Sequence, residues 1–312
     1  MQFWKQFEPG FTCLAPMEGV TDIAFRQVVA KAARPDIFFT EFTNVNSYNS
    51  EKGRHNALDR FQTLPSEKPI VAQIWGTKPE FFTETAQALK QLGFEAVDIN
   101  MGCPDRHVVA TGGGSGLIRT PELAKEIIRA TKMAGLPTSV KTRLGYSQVE
   151  EWRGWLTNIL TEYPDALTVH LRTKKEMSKV AAHYELVPEI IALKNELSPE
   201  TVLIINGDIE TPADGQKFID MGVDGLMIGR GVFHNPFCFE KQPRAHSREE
   251  LIDLMRYHLD LYDKYELSPY DPLKHFYKIY INNFPSASDL RAKLMETKTT
   301  DEARAVLDEF TK

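Results

Sequence analysis

Short apolar runs recur along the chain, at residues 12–16, 37–42, 69–74, 96–100, 138–142, 166–170, 202–206 and 225–228. Most are β-branched or aromatic and are bounded by Gly or Pro, which predicts buried strands. Between many of them the apolar positions shift to helical spacing, over residues 21–33, 79–92, 121–134, 150–162, 184–196 and 212–221. Thr120-Pro121 and Thr211-Pro212 read as helix starts, each a capping hydroxyl before a proline in the first turn. Strands alternating with helices predict a parallel sheet, and eight such units predict an α/β chain closed into a (β/α)8 TIM barrel. An open doubly wound sheet is the competing architecture. No GxGxxG links a strand to a helix to favour it.

The texture changes after Phe239. Residues 247–265, 273–283, 287–295 and 301–310 have helical spacing, broken by Pro243, Pro269, Pro272 and Pro285. The expected division is a barrel over residues 1–240 and an appended helical domain over 245–312. Residues 43–66 are long and polar for a crossover, and are expected to form a functional loop.

Composition adds exclusions. A chain of 312 residues, 42% hydrophobic and 26% charged, suits a large globular domain plus a small one. The three cysteines, Cys13, Cys103 and Cys238, are too few and too scattered for a disulfide framework or a CxxC metal site. That pattern suits a reducing cytoplasm. No apolar run approaches the ~18 residues of a membrane span, and the first ten residues lack a signal-peptide pattern. A net charge of −6 gives no global attraction to nucleic acid, so an RNA partner would need a local basic patch. No metal and no membrane are expected, and a monomer is.

Barrel enzymes gather their reacting groups where the strands end. Those positions here are Met17, Glu41, Gln73, Asn100, Lys141, His170, Asn206 and Gly229-Arg230. Singly, each could be a solvated turn residue. In register, a lysine, an imidazole, amides and a carboxylate could surround a polar, planar ligand. After the last two strands, Asn206-Gly207-Asp208 and Gly229-Arg230-Gly231 offer backbone donors, a helix start and a guanidinium, a combination suited to phosphate. The strand at 96–100 runs into Gly102-Cys103-Pro104, where a thiol could serve as acid, nucleophile or ligand. Arg106 and His107 follow it, and the run Gly112–Gly116 is expected to let the Cys103 loop close. Cys13 and Cys238 read as structural, and Trp152 and Trp155 as helix packing.

The ordered set of motifs resembles the flavin-dependent tRNA-dihydrouridine synthases over nearly the whole chain. It comprises Ala15–Asp22, Thr40-Glu41, Gln73–Gly76, Asp98–Pro104, Gly114-Ser115, Val140–Gly145, His170–Thr173, Asn206–Asp208 and Gly229–Gly231. The resemblance implies FMN on the barrel mouth, lined by Pro16 and Met17, with Gln73 on its polar edge and Lys141 and His170 beside the ring. It places Asn206, Gly207, Asp208, Gly229 and Arg230 at the ribityl and phosphate groups. It implies that Asn100, Arg172 and Arg143 face the target uracil, and that NADPH (or NADH) is the reductant. Cys103 would then give carbon 5 of the base its proton, and Arg106, Lys174, Lys175, Lys274 and Lys278 would face tRNA. The chain departs from the family pattern at Arg106, Leu171, Val180 and Leu273. Two other functions fit the residues alone: an FMN barrel oxidoreductase acting on a free pyrimidine or enone, and a non-catalytic RNA-binding barrel.

Overall fold

The computed structural model describes residues 3–311. Eight parallel strands run in chain order: β1 (Phe11–Leu14), β2 (Phe38–Phe39), β3 (Ile70–Trp75), β4 (Val97–Met101), β5 (Thr138–Arg143), β6 (Ala166–His170), β7 (Val202–Asn206) and β8 (Gly225–Ile228). Each pairs with its sequence neighbour from β2 to β8, and β8 returns to pair with β1. A single bridge between Cys13 and Ile37 joins β1 to the start of β2 and nearly closes the barrel. The predicted TIM barrel is the observed fold.

The helices on its outside are α1 (Ile23–Ala32), α2 (Pro79–Gln91), α3 (Pro121–Lys132), α4 (Trp152–Leu160), α5 (Val187–Leu197) and α6 (Pro212–Ile219). Their apolar faces and the outward side chains of the strands form one buried shell. Small and β-branched side chains such as Ala15, Val71, Ala96, Ala166 and Ile204 fill the barrel interior, with Trp4 packed against Phe39. Trp152 and Trp155 are buried, and the Trp155 indole donates to Thr142 Oγ1 at 2.8 Å, which ties α4 to β5.

The C-terminal helices are α7 (Arg248–Lys264), a 3-10 turn at Asp271–Phe276 leading into the short helix Tyr277–Tyr280, then α8 (Ala287–Glu296) and α9 (Thr300–Thr311). They share the barrel's outer shell. Phe25 of α1 meets Phe276 at 4.8 Å between ring centroids and His258 of α7 at 5.8 Å. Ser247 opens α7 with a reciprocal capping box, its hydroxyl taking the Glu250 N–H while Glu250 takes the Ser247 N–H. Ser247→Ala should therefore lower stability by about 1 kcal/mol, read as a lower urea midpoint with an unchanged slope.

Three expectations need correction. Residues 43–66 are not a plain loop: Thr43–Asn44 pairs beside the end of β3, and helices follow at Val45–Tyr48 and Glu51–Asp59. Thr120 does not cap α3 through its hydroxyl, whereas Thr211 does cap α6. The glycine run is not slack either. Gly114–Arg119 forms a 3-10 turn, and Ser115 gives both its N–H (3.0 Å) and its hydroxyl (2.8 Å) to the Cys103 carbonyl. Gly114 sits at φ +55°, and a Cβ there would lie 2.9 Å from that same carbonyl oxygen. Close approach to Cys103, and not freedom to move, is what requires glycine at that position.

Candidate active site

Parallel pairing in register puts the strand ends on one rim. Asn100 stands opposite Lys141, Arg143 opposite His170, and His170 opposite Asn206. Above them opens a cleft of about 400 Å³. Pro16, Met17, Asn100, Cys103, Lys141, Arg143, His170, Asn206, Gly207, Asp208, Gly229 and Arg230, all singled out from the sequence, line it.

The Cys103 turn is held from two sides. Asn100 Oδ1 accepts the Gly102 N–H at 3.0 Å and the Cys103 N–H at 2.8 Å. Arg143 Nε donates to the Gly102 carbonyl at 2.8 Å, and its Nη1 reaches the Thr173 and Met177 carbonyls, each at 3.1 Å. One guanidinium thus braces both the thiol turn and the strap carrying Met177 and Ser178 over the cleft. Burial lifts the Cys103 thiol above its ordinary range, opposed by the backbone N–H of Asp105 and by Arg143 and Lys141, with the Asp105 charge adding a smaller rise. The thiol is therefore protonated throughout the neutral range.

Lys141 is a half-buried cation of the cleft, with Nζ 3.3 Å from Asn206 Oδ1. Burial, assisted by repulsion from Arg143, brings it down to about 8. It is cationic below that pH and loses its charge above it. His170 is pushed well below the ordinary imidazole range by burial and by the surrounding cations, so it stands neutral, and its Nδ1 has no partner. Affinity for an anionic planar ligand should therefore weaken as pH rises from 7 to 9, by up to about tenfold per unit above 8. Titrating the binding of an aromatic carboxylate, whose own charge is constant across that range, checks it.

At the other wall Asp208, with φ +52°, accepts Arg230 at 2.8 Å and also pairs with Arg172. Its carboxylate is a counterion here, fixing the guanidinium that faces the cleft. Gly207 has φ +121°, and a Cβ on Gly231 would lie 2.5 Å from the Glu210 carbonyl oxygen. Both backbone stretches need glycine to lie this close to the rim.

Two residues assigned to ligands do not line the cleft. Gln73 is fully buried beneath it, its amide engaged by Asp98 and Asn100. Arg172 is 2% exposed and spends its Nε on the Val180 carbonyl. Glu41 is likewise outside the lining; it accepts the Gly19 N–H at 2.6 Å, and burial pushes it up to about 7. The cleft adds Phe42, Met177, Ser178, Glu210 and His234. Phe42 ends the second apolar run and was open to discovery, whereas Met177 and Ser178 carry no signal in a polar loop. Among the RNA-facing candidates, Arg106, Lys175 and Lys278 are exposed. Lys174 lies over the Tyr146 ring at 5.1 Å, as does Arg119 at 4.5 Å, which groups two cations on one aromatic. Lys274 is mostly covered and paired with Asp271 at 2.9 Å. Among the described residues, no group of three or more His, Cys, Asp or Glu could hold a metal, and no helix is long and apolar enough to cross a membrane.

The model of the family described as Dihydrouridine synthase (Dus) matches residues 13–312. The chain belongs to the dihydrouridine synthase family. Dihydrouridine synthases are oxidoreductases, so the cleft belongs to an enzyme. The chain is 54% identical over 312 residues to "Probable tRNA-dihydrouridine synthase 2" of Bacillus subtilis (strain 168), covering 99% of this chain and 96% of that protein. It is 52% identical to "Probable tRNA-dihydrouridine synthase" of Staphylococcus aureus (strain COL), over 99% of this chain and 95% of that one. Among solved structures, morphinone reductase in complex with tetrahydroNAD matches with TM-score 0.53 at 12% identity, over 76% of this chain and 87% of that one. The old yellow enzyme from Trypanosoma cruzi matches with TM-score 0.53 at 13% identity, over 77% and 90%. At such identities the two structures speak for the barrel fold of this dihydrouridine synthase and not for its substrate.

Proposed function

We propose that this chain reduces uridine in tRNA to 5,6-dihydrouridine, with FMN as resident cofactor, NADPH (or NADH) as reductant and Cys103 as proton donor to carbon 5. The observation that carries the reading is a half-buried, protonated thiol braced at the rim of a cleft floored by a cation. The donor set suits a flavin. Lys141 offers a positive charge and His170 an unpartnered nitrogen, while Gly207, Gly229 and Arg230 offer backbone approach and a guanidinium for a phosphate. A flavin held by these residues would supply hydride chemistry for carbon 6 of the uracil ring.

The chain's own residues do the rest. Lys141, cationic at neutral pH, would stabilise negative charge that develops on a ring bound in the cleft. Cys103 holds its proton through neutral pH and gives it to carbon 5, then regains one from solvent. Arg143 and Asn100 keep the thiol turn in place while that happens. A base in an RNA must leave its stack to reach such a cleft. The exposed Arg106 and Lys175, and the Arg119–Tyr146–Lys174 cluster, supply cations to RNA backbone near the mouth. Residues 245–312 would form the RNA-facing helical unit and 1–240 the redox barrel, acting as a cytoplasmic monomer.

Nucleoside mass spectrometry of tRNA from cells with and without the gene tests the reading. Loss of dihydrouridine at one or more positions is the supporting outcome, and an unchanged dihydrouridine content removes it. Lys174→Ala should leave FMN affinity unchanged and weaken tRNA binding. The slope of log affinity against log salt should become shallower by about 0.7–0.9, measured by filter binding over a salt series.

A further inference from the structure

On the reading that the cleft takes a uridine out of RNA, we propose that a second cavity, sharing the Cys103 turn with the cleft, receives an unstacked nucleobase next to that uridine in the strand. The cavity holds about 540 Å³ and lies between the Cys103 turn, the end of β3 and the helices at Val45–Tyr48 and Glu51–Asp59. Cys103 and Phe42 line both spaces. A flipped-out uridine brings its covalently tied neighbours to this mouth, and enzymes that act on extruded bases commonly read those neighbours.

The wall is built for a flat, uncharged ring. Trp75 is half-buried at the end of β3 and lines the cavity. Gly113 backs its indole so closely that a Cβ there would lie 2.9 Å from the ring, which fixes a stacking face in place. Thr43 pairs with Ile74 through its backbone and is 1% exposed, yet its Oγ1 has no hydrogen-bond partner. A buried hydroxyl left unbonded costs stability, and a valine of the same shape would avoid the cost. The polar edge of a base in the cavity would satisfy it. Asp105 uses Oδ1 on the N–H groups of His107 and Val108, which leaves Oδ2 open, and Asn44 uses Oδ1 on the Asn46 N–H, which leaves its NH2 group. Donor and acceptor together suit a base edge. The charges do not suit a phosphate. Arg60, the one cation in the lining among the described residues, gives both Nη atoms to Glu18 at 2.7 Å, and Asp105 leaves the wall with an excess negative charge.

The test uses tRNA in which the reduced uridine has been mapped by mass spectrometry of RNA fragments. Two further tRNAs carry an abasic residue, one just before and one just after that uridine. Filter binding to the FMN-loaded enzyme should show about a tenfold loss for one of the two, the contribution of one stacked base. Trp75→Leu should bind intact tRNA about tenfold more weakly and lose little more on the same abasic tRNA, because both changes remove one contact. An abasic residue that acts only by loosening the RNA weakens binding to parent and variant alike, and that result overturns the proposal. Thr43→Val should lower affinity for intact tRNA about fivefold while its urea midpoint stays at or above the parent's, and it decides alone if Trp75→Leu unfolds. Parent-like tRNA affinity in Thr43→Val overturns the proposal. Weakened NADPH binding with tRNA affinity kept gives the cavity to the reductant and ends it as well. Uridine reduction that persists with no effect of either neighbour removes this proposal alone, whereas an enzyme that reduces no uridine in tRNA ends both readings.

Discussion

Cys103→Ala is expected to lower dihydrouridine formation by about 10²- to 10⁴-fold, the usual contribution of a positioned acid. Reduction of bound flavin by NADPH should continue at close to the parent rate. The two half-reactions separate because the thiol is needed only once the base has taken up a hydride. The alanine removes a side chain that lines the cleft without donating to any protein group, so the turn keeps its bonds to Asn100 and Ser115. Stopped-flow bleaching of the flavin's visible absorbance and mass spectrometry of the RNA product read the two halves. Near-normal product formation would take the proton-donor role from Cys103. A loss of flavin reduction in step with product would instead point to damage of the cleft.

Arg230→Ala should weaken FMN affinity by about tenfold to a hundredfold, the range for a hydrogen bond to a charged group. The lower part of that range is favoured, because the Arg230 side chain is 56% exposed and its charge is partly screened. Riboflavin, which lacks the phosphate, supplies the control. Its affinity should be the same for parent and variant, since Lys141 and His170 are untouched. Equilibrium dialysis of both ligands gives the answer. Equal losses for FMN and riboflavin would mean that Arg230 acts on the ring and not on the phosphate.

Much of this fold is legible before folding because the barrel repeats one signal. Apolar runs such as residues 166–169 and 202–206 are buried along their length, so hydrophobicity marks them without help from alternation. The helix at Glu51–Asp59 escaped because it buries only Ala57 and presents no apolar period to detect. Ser50 caps it, but a cap without an amphipathic stripe is a weak signal. The glycine run misled for a related reason. Composition alone does not separate a glycine that loosens a loop from one that lets Gly114 press against the Cys103 carbonyl.

The site divides in the same way. Which residue types stand at the rim follows from where strands stop, so Lys141, His170 and Asn206 could be placed from spacing. Where a long polar side chain points depends on partners far away in sequence. Arg172 turns inward because Asp208, 36 residues on, and the Val180 carbonyl claim it. Gln73 turns downward because Asp98 lies across the next strand. Neither partnership leaves a local trace.

The apolar shell that runs without a break from the barrel's helices into α7 makes the C-terminal helices part of the barrel's own cooperative unit. Phe25 of α1 finds its cover in Phe276, and in His258, whose Nδ1 is bonded to the Tyr280 hydroxyl at 2.8 Å. Cutting the chain near residue 240 would put that aromatic face in water and loosen the first barrel helix along with it. The C-terminal helices and the barrel that carries the cleft therefore melt together. Changes to those helices that leave the barrel undisturbed are confined to exposed side chains such as Lys278, because repacking the helices would loosen the barrel as well.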